Sequence, residues 1–212
     1  MRNNFTRIAI VLDRSGSMES CKESTVSGFN EFIRTQQELP GEAMVKLVQF
    51  DDRYETVFDM NLKLCPELTQ NTFVPRGSTA LLDAQGRTIV ELGKELAALP
   101  ENERPSKVVV VTLTDGLENA SKEYNLERIG ELIREQRDKY NWDFVFLGAN
   151  QDAIQTAAAM NIPLPSAMSY STSKAGIAAT MAAVSHYVGS ARKGKAAAFS
   201  EEDRKSAMEK DA

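Results

Sequence analysis

The chain reads as one α/β domain built on a mostly parallel central sheet with helices packed on both faces. Three observations lead there. Apolar runs at residues 8–12, 108–113 and 144–147 are continuous rather than alternating, which is the pattern of strands buried on both faces. Segments of helical periodicity separate these runs, so strand and helix alternate along the chain and parallel crossovers follow. With 212 residues, 42% hydrophobic and 26% charged, there is enough material for one sizeable core and no sign of a disordered or fibrous class.

The elements follow in order. Residues 6–12 form a buried strand. After Ser17 a helical pattern runs through Cys21, Thr25, Phe29, Phe32 and Gln36 until Pro40-Gly41 closes it. Residues 44–50 and 54–60 are strand-like and separated only by Asp51-Asp52-Arg53, a gap that a hairpin alone can span. One short antiparallel edge strand is therefore expected. From Leu81 the residues Leu82, Ile89, Leu92, Leu96 and Leu99 recur at helical spacing up to Pro100. Next come a strand at 108–113, a helix through Leu126, Ile129 and Ile133, and a strand at 142–147 ending in Gly148-Ala149-Asn150. A short Ala-rich helix at 151–160 precedes Ile162-Pro163-Leu164-Pro165, which is expected to be neither helical nor a central strand. A weak strand at 168–171 and a helix at 173–190 complete the domain, placed at residues 1–190.

Residues 191–212 differ in character. Arg192, Lys193 and Lys195 lead into a short Ala run, Phe199 and a mixed-charge end, in which Ser200 and Asp203 have the spacing of a capping box. This segment is expected to be a charged tail with helical potential that frays or docks weakly.

Composition excludes several functions. With 25 basic and 30 acidic residues the net charge is -5, so there is no electrostatic case for a nucleic-acid partner. No apolar run approaches the roughly 20 residues of a membrane span, and the N-terminus lacks the layout of a signal peptide. A cytoplasmic location is expected. Cys21 and Cys65 lie far apart without metal-ligand spacing, which fits reduced thiols. His186 is the sole histidine, so no zinc site can be built from histidines.

The chemistry concentrates where strands end. Asp13-Arg14-Ser15-Gly16-Ser17 follows the first strand and sets a carboxylate and two hydroxyls at alternate positions, with Gly16 expected to allow a tight turn. Hard divalent cations take oxygen donors, and such a loop can point several at one spot. The same residues also suit helix capping, so the motif alone decides little. Two more oxygen-bearing segments follow: Gly77-Ser78-Thr79-Ala80-Leu81-Leu82-Asp83-Ala84, and Thr114-Asp115-Gly116 after the most strand-like run.

At these residues the sequence resembles the von Willebrand factor A (VWA) family, whose metal-ion-dependent adhesion site is built from Asp-x-Ser-x-Ser, a distant Thr and a more distant Asp. Asp13, Ser15, Ser17, Thr79 and Asp115 match in order, and the resemblance covers residues 5–188. Phrases such as Gly77 to Ala84 and Phe146-Leu147-Gly148-Ala149-Asn150-Gln151-Asp152 are similar to stand-alone bacterial and phage-type members. The resemblance implies a three-layer Rossmann-like fold and a protein-protein interaction module rather than an enzyme. It implies a divalent cation held by the hydroxyls of Ser15, Ser17 and Thr79, with Asp13 and Asp115 acting through water or at longer range, and a protein partner that supplies an Asp or Glu.

Magnesium is the expected occupant, with manganese or calcium as alternatives, because all-oxygen sites poor in carboxylate suit magnesium or manganese best. The competing reading is a magnesium-dependent phosphoryl-transfer or phosphatase-like enzyme with Asp13 as nucleophile. That chemistry pairs the nucleophile with a carboxylate two residues on, where this chain has Ser15. A nucleotide-binding reading fails because Gly16 lacks companion glycines. Among the neighbours, Asp51, Asp52 and Glu118 are expected to be solvated loop charges, Asp83 a helix-surface carboxylate or a support behind Thr79, and Asn119 and Asn150-Gln151-Asp152 turn formers.

Overall fold

The computed structural model describes residues 1–149 and 152–211. Six strands form one sheet: β1 (Arg2–Asp13), β2 (Glu42–Phe50), β3 (Tyr54–Asn61), β4 (Pro105–Thr114), β5 (Trp142–Ala149) and β6 (Ala167–Tyr170). Their order is β3-β2-β1-β4-β5-β6. All neighbours run parallel except β2 and β3, which pair antiparallel as the tight Asp51-Asp52-Arg53 connection requires. The expected parallel sheet with one antiparallel edge strand is therefore what the chain forms.

Helices cover both faces. One face packs α1 (Lys22–Glu38) and α5 (Lys174–Arg192) over Ile8, Ile10, Leu12, Val109, Val111 and Leu113. The other packs α2 (Leu81–Ala98), α3 (Leu126–Tyr140) and α4 (Ala153–Ala159) over Ala9, Val11, Val108, Val110 and Phe144. Neighbouring residues of β1 thus go to opposite cores, which explains the continuous apolar runs. Ile8, Leu12, Val109 and Phe146 are fully enclosed. Each such side chain contributes roughly 1.5–3 kcal/mol, so the core does not depend on the loops at the rim.

One expectation needs correction. Leu164–Ser166 forms a single 3₁₀ turn. Proline was expected to forbid any helical turn there, but at the first positions of a turn its missing N–H is not needed and its fixed φ suits the geometry. Of fraying and weak docking, the described part of the terminal segment shows docking. A last helix, α6 (Glu201–Ala207), carries the Ser200/Asp203 capping box and docks on the domain. Phe199 is buried with its ring centroid 5.3 Å from that of Tyr187. The Arg204 guanidinium donates to the carbonyls of Ala167 and Leu164 at 2.6 and 2.8 Å. The Asp211 carboxylate accepts the free N–H groups of Lys174 and Ala175 at the start of α5, each at 3.0 Å.

Candidate functional site

The strand order reverses between β1 and β4, and in an open parallel sheet the crevice outside the carboxyl ends at that point is where ligands bind. Asp13 ends β1 and Asp115 follows β4, so both acids sit at this crevice. Asp13 is fully buried. Its Oδ1 accepts the Ser15 amide at 2.6 Å and its Oδ2 accepts the Thr114 hydroxyl at 2.6 Å. Burial pushes its carboxyl up to about 6, against the lowering effect of those hydrogen bonds. Asp115 is buried too, and burial raises its carboxyl although Ser17 Oγ donates to Oδ1 at 2.6 Å.

The three hydroxyls converge on a point beside Gly116. A Cβ built on that glycine would stand 3.1 Å from Thr79 Oγ1, 3.6 Å from Ser17 Oγ and 3.8 Å from Ser15 Oγ. Ser15 Oγ and Ser17 Oγ are themselves 3.2 Å apart. None of the three caps a helix: Ser15 precedes the 3₁₀ turn Gly16–Cys21 without a side-chain cap bond, Ser17 lies within that turn, and the cap position of α2 is Ala80, one residue after Thr79. The capping duty that Ser and Thr ordinarily perform at such places is absent at these three; the two serine hydroxyls face each other and Ser17 faces Asp115 instead. The structure brings together all five residues singled out in the sequence.

The turn-forming glycine is a different one from that expected. Gly16 is not in the left-handed region, whereas Gly77 is, at φ +68°. A side chain on Gly77 would also collide with Asp52 Oδ1. Gly16 instead donates its amide to the Gly77 carbonyl at 3.2 Å, and Arg76 donates its own to the Arg14 carbonyl at 2.8 Å. These two bonds lace the Ser15 loop to the Thr79 loop.

Several neighbours support the rim, contrary to expectation. Asn119 clasps Thr79 on both sides: its Oδ1 accepts the Thr79 amide at 2.9 Å, and its own amide donates to the Thr79 carbonyl at 3.0 Å. Glu118 is no idle solvated charge. It accepts the Leu82 amide at 2.9 Å at the start of α2, and also the Ala120 amide, the Ser121 amide and the Ser121 hydroxyl. Asp83 accepts the amides of Lys122, Glu123 and Tyr124 at 2.8–2.9 Å, so it holds the loop after β4 rather than lying free on the helix or behind Thr79. Asp51 is fully buried and bound to two arginines, while Asp52 is exposed as expected. Leu117, next to Gly116, is 62% exposed.

Asn150 and Gln151 fall outside the described residues, and Asp152 caps α4 by accepting the Gln155 amide at 3.0 Å. His186 is exposed on α5. Cys21 and Cys65 are free thiols, both pushed up to about 11 by burial. No group of three or more His, Cys, Asp or Glu is placed to hold a metal among the described residues, so any cation at the rim would take hydroxyl donors. No described helix is long and apolar enough to cross a membrane.

No family profile matches the chain, and no curated protein does. Solved structures do. Proximal thread matrix protein 1 from the mussel byssus matches with a TM-score of 0.61 at 17% identity, over 87% of this chain and 47% of that one. The von Willebrand factor type A protein from Catenulispora acidiphila matches with a TM-score of 0.57 at 13% identity, over 88% of this chain and 42% of that one. The pilus adhesin SpaC from Lactobacillus rhamnosus GG, in its open conformation, gives 0.63 at 11% identity, over 90% and 30%. This chain thus spans less than half the length of each of the three. At such identities the likeness is one of fold. The chain has the von Willebrand factor type A fold, and the five positions of the adhesion-site motif stand together at its switch-point crevice.

Proposed function

We propose that this domain is a cation-dependent protein-interaction module in which Ser15, Ser17 and Thr79, with Asp13 and Asp115, hold one divalent ion, magnesium in the cell. The observation that carries this reading is the convergence of three non-capping hydroxyls on the point that a Gly116 side chain would fill. The donor set fits: all oxygen, two carboxylates, no soft ligand. When bound, the ion supplies an electrophilic centre that accepts a further anionic oxygen. Two carboxylates just balance a divalent charge while the hydroxyls are neutral, so a partner's Asp or Glu is the natural complement. Asp13 and Asp115 supply the negative charge that draws the cation to otherwise neutral donors. Asn119, Glu118 and Asp83 hold the loops that present the hydroxyls.

The module is not an enzyme on this reading. Both Asp13 oxygens are engaged, by the Ser15 amide and the Thr114 hydroxyl, which leaves a poor nucleophile. Ser15 also stands where an acid-base carboxylate would be needed.

The test is a manganese titration by calorimetry, followed by water-proton relaxation of the bound ion as a short Glu-containing peptide is added. Saturable binding is expected, lost in Asp13→Ala and Asp115→Ala, with relaxation falling as the peptide carboxylate displaces water. Binding indifferent to both substitutions overturns the site. Turnover of a phosphorylated substrate with magnesium, abolished in Asp13→Asn, puts the enzyme reading in its place. The fold should survive chelation, because the two cores are built away from the rim; a melt in chelator without a cooperative transition contradicts this.

A further inference from the structure

We propose that Asp51, at the β2–β3 hairpin, is a positioning residue that sets the distance between the Ser15–Ser17 loop and Thr79. The proposal rests on reading the rim as a cation site. Asp51 is fully buried yet touches neither Asp13 nor the hydroxyls by any hydrogen bond described above. It reaches both loops through their neighbours. Its Oδ2 accepts Arg14 Nε at 3.1 Å and Arg76 Nε at 2.8 Å. Arg14 lies between Asp13 and Ser15 in the chain, and Arg76 precedes Gly77. Its Oδ1 accepts the Arg53 amide at 2.7 Å, which closes the hairpin. Its own carbonyl accepts the amide of Ala80, the residue after Thr79, at 2.9 Å.

One side chain and its backbone thus bind both halves of the hydroxyl set. The Arg14 carbonyl accepts the Arg76 amide at 2.8 Å and completes the clasp. Charge makes it rigid. Arg14 is buried, with a 3.4 Å contact from Nη1 to Gln49 Oε1 and an ion pair to the half-exposed Glu55 at 2.8 Å. Its Nη2 has no hydrogen-bond partner among the described residues, so the guanidinium already lacks full satisfaction there. Removing the Asp51 charge leaves a buried cation short of its enclosed counter-ion, and the cheapest relief is for Arg14 to swing toward water. That movement drags Ser15 and Gly16 away from Gly77.

The comparison is Asp51→Asn against Asp59→Asn, which weakens an ion pair of the same edge strand, Asp59 with Arg7 at 2.6 Å, remote from the motif. Arg76→Gln, at a half-exposed side chain, is the milder variant should Asp51→Asn fold poorly. Manganese affinity is expected to fall about tenfold in Asp51→Asn and less in Arg76→Gln, in line with losses on removing residues that orient ligands, and to stay unchanged in Asp59→Asn. Amide hydrogen exchange of the metal-free protein is the second readout. Gly16, Arg76 and Ala80 should exchange faster in Asp51→Asn and Arg76→Gln, and not in Asp59→Asn. Unchanged exchange at those amides, or equal loss of affinity in Asp59→Asn, overturns the positioning role. If the unsubstituted protein binds no manganese, the cation reading falls, while the exchange pattern still decides whether Asp51 clasps the loops.

Discussion

Thr114 on β4 donates its hydroxyl to Asp13 on β1 at 2.6 Å, a contact 101 residues apart in sequence that spans the switch point of the sheet. Parallel register makes it possible: Leu12 pairs with Leu113, so the next residue of each strand stands side by side. The bond turns the Asp13 carboxylate toward β4 while the Ser15 amide holds its other oxygen. Thr114→Val keeps the shape and removes the donor, leaving a buried carboxylate oxygen unpaired. A loss of about 1–3 kcal/mol is expected in urea unfolding. A change within about 0.5 kcal/mol, the usual range for an unimportant surface position, means that the bond does not hold Asp13.

Gly116→Ala plugs the crevice. The backbone there is not left-handed, so alanine is conformationally allowed, and its methyl would stand 3.1–3.8 Å from all three hydroxyl oxygens. Manganese binding should be lost while the melting temperature moves little. Gly16→Ala is the control, because among the described residues its Cβ would meet only the Gly77 carbonyl, at an ordinary 3.5 Å. Equal binding in both variants would place the ion elsewhere.

What the sequence made legible was the part whose logic is local or tied to strand ends. Asp13, Ser15 and Ser17 share one loop, and Asp115 follows the clearest strand, so these positions stand out in the sequence as neighbours in space. The supports could not. Asn119 finds Thr79 across 40 residues, and Asp83 finds Tyr124 across 41, and no periodicity encodes which loops meet. Glu118 and Asp51 read as solvated acids because composition says that of most acids; burial and partners overrode it. Gly116 carried no signal, since its contribution is a missing side chain. The terminal segment did carry one, Phe199 beside a capping box, which left docking and fraying both open, and the chain docks.

Acid should erase the contribution of Asp51. Burial alone would raise its carboxyl, but the Arg76 hydrogen bond, the Arg53 amide and the charges of Arg14 and Arg76 outweigh it and hold it below its ordinary 3.8. A group with a depressed folded value stabilises above its unfolded value and loses that contribution as pH falls through the folded one. The unsubstituted protein should therefore exceed Asp51→Asn in stability at pH 7, with the gap closing as pH falls below about 4. Urea unfolding of both proteins across that range is the measurement. A gap independent of pH would mean that the Asp51 charge is not what stabilises the hairpin.

The docking of the terminal helix predicts that it is part of the folded unit. Phe199 is buried against Tyr187, whose hydroxyl in turn lies 2.7 Å from Ser166 Oγ. The Phe199 amide donates to the Pro165 carbonyl at 2.8 Å, and the Ala207 carbonyl accepts the Ser171 amide at 2.8 Å, so α6 covers the open edge beside β6. Phe199→Ala empties that contact, and a loss of about 3–5 kcal/mol is expected for a buried Phe. Asp211→Asn should cost far less, because that carboxylate is an exposed cap on α5. Hydrogen exchange separates docking from mere burial: in Phe199→Ala the Ser171 and Phe199 amides should lose protection together, while those of β1 and β4 weaken only as far as global stability does. If Phe199→Ala leaves both the unfolding midpoint and the Ser171 amide unchanged, the segment is not held on the domain.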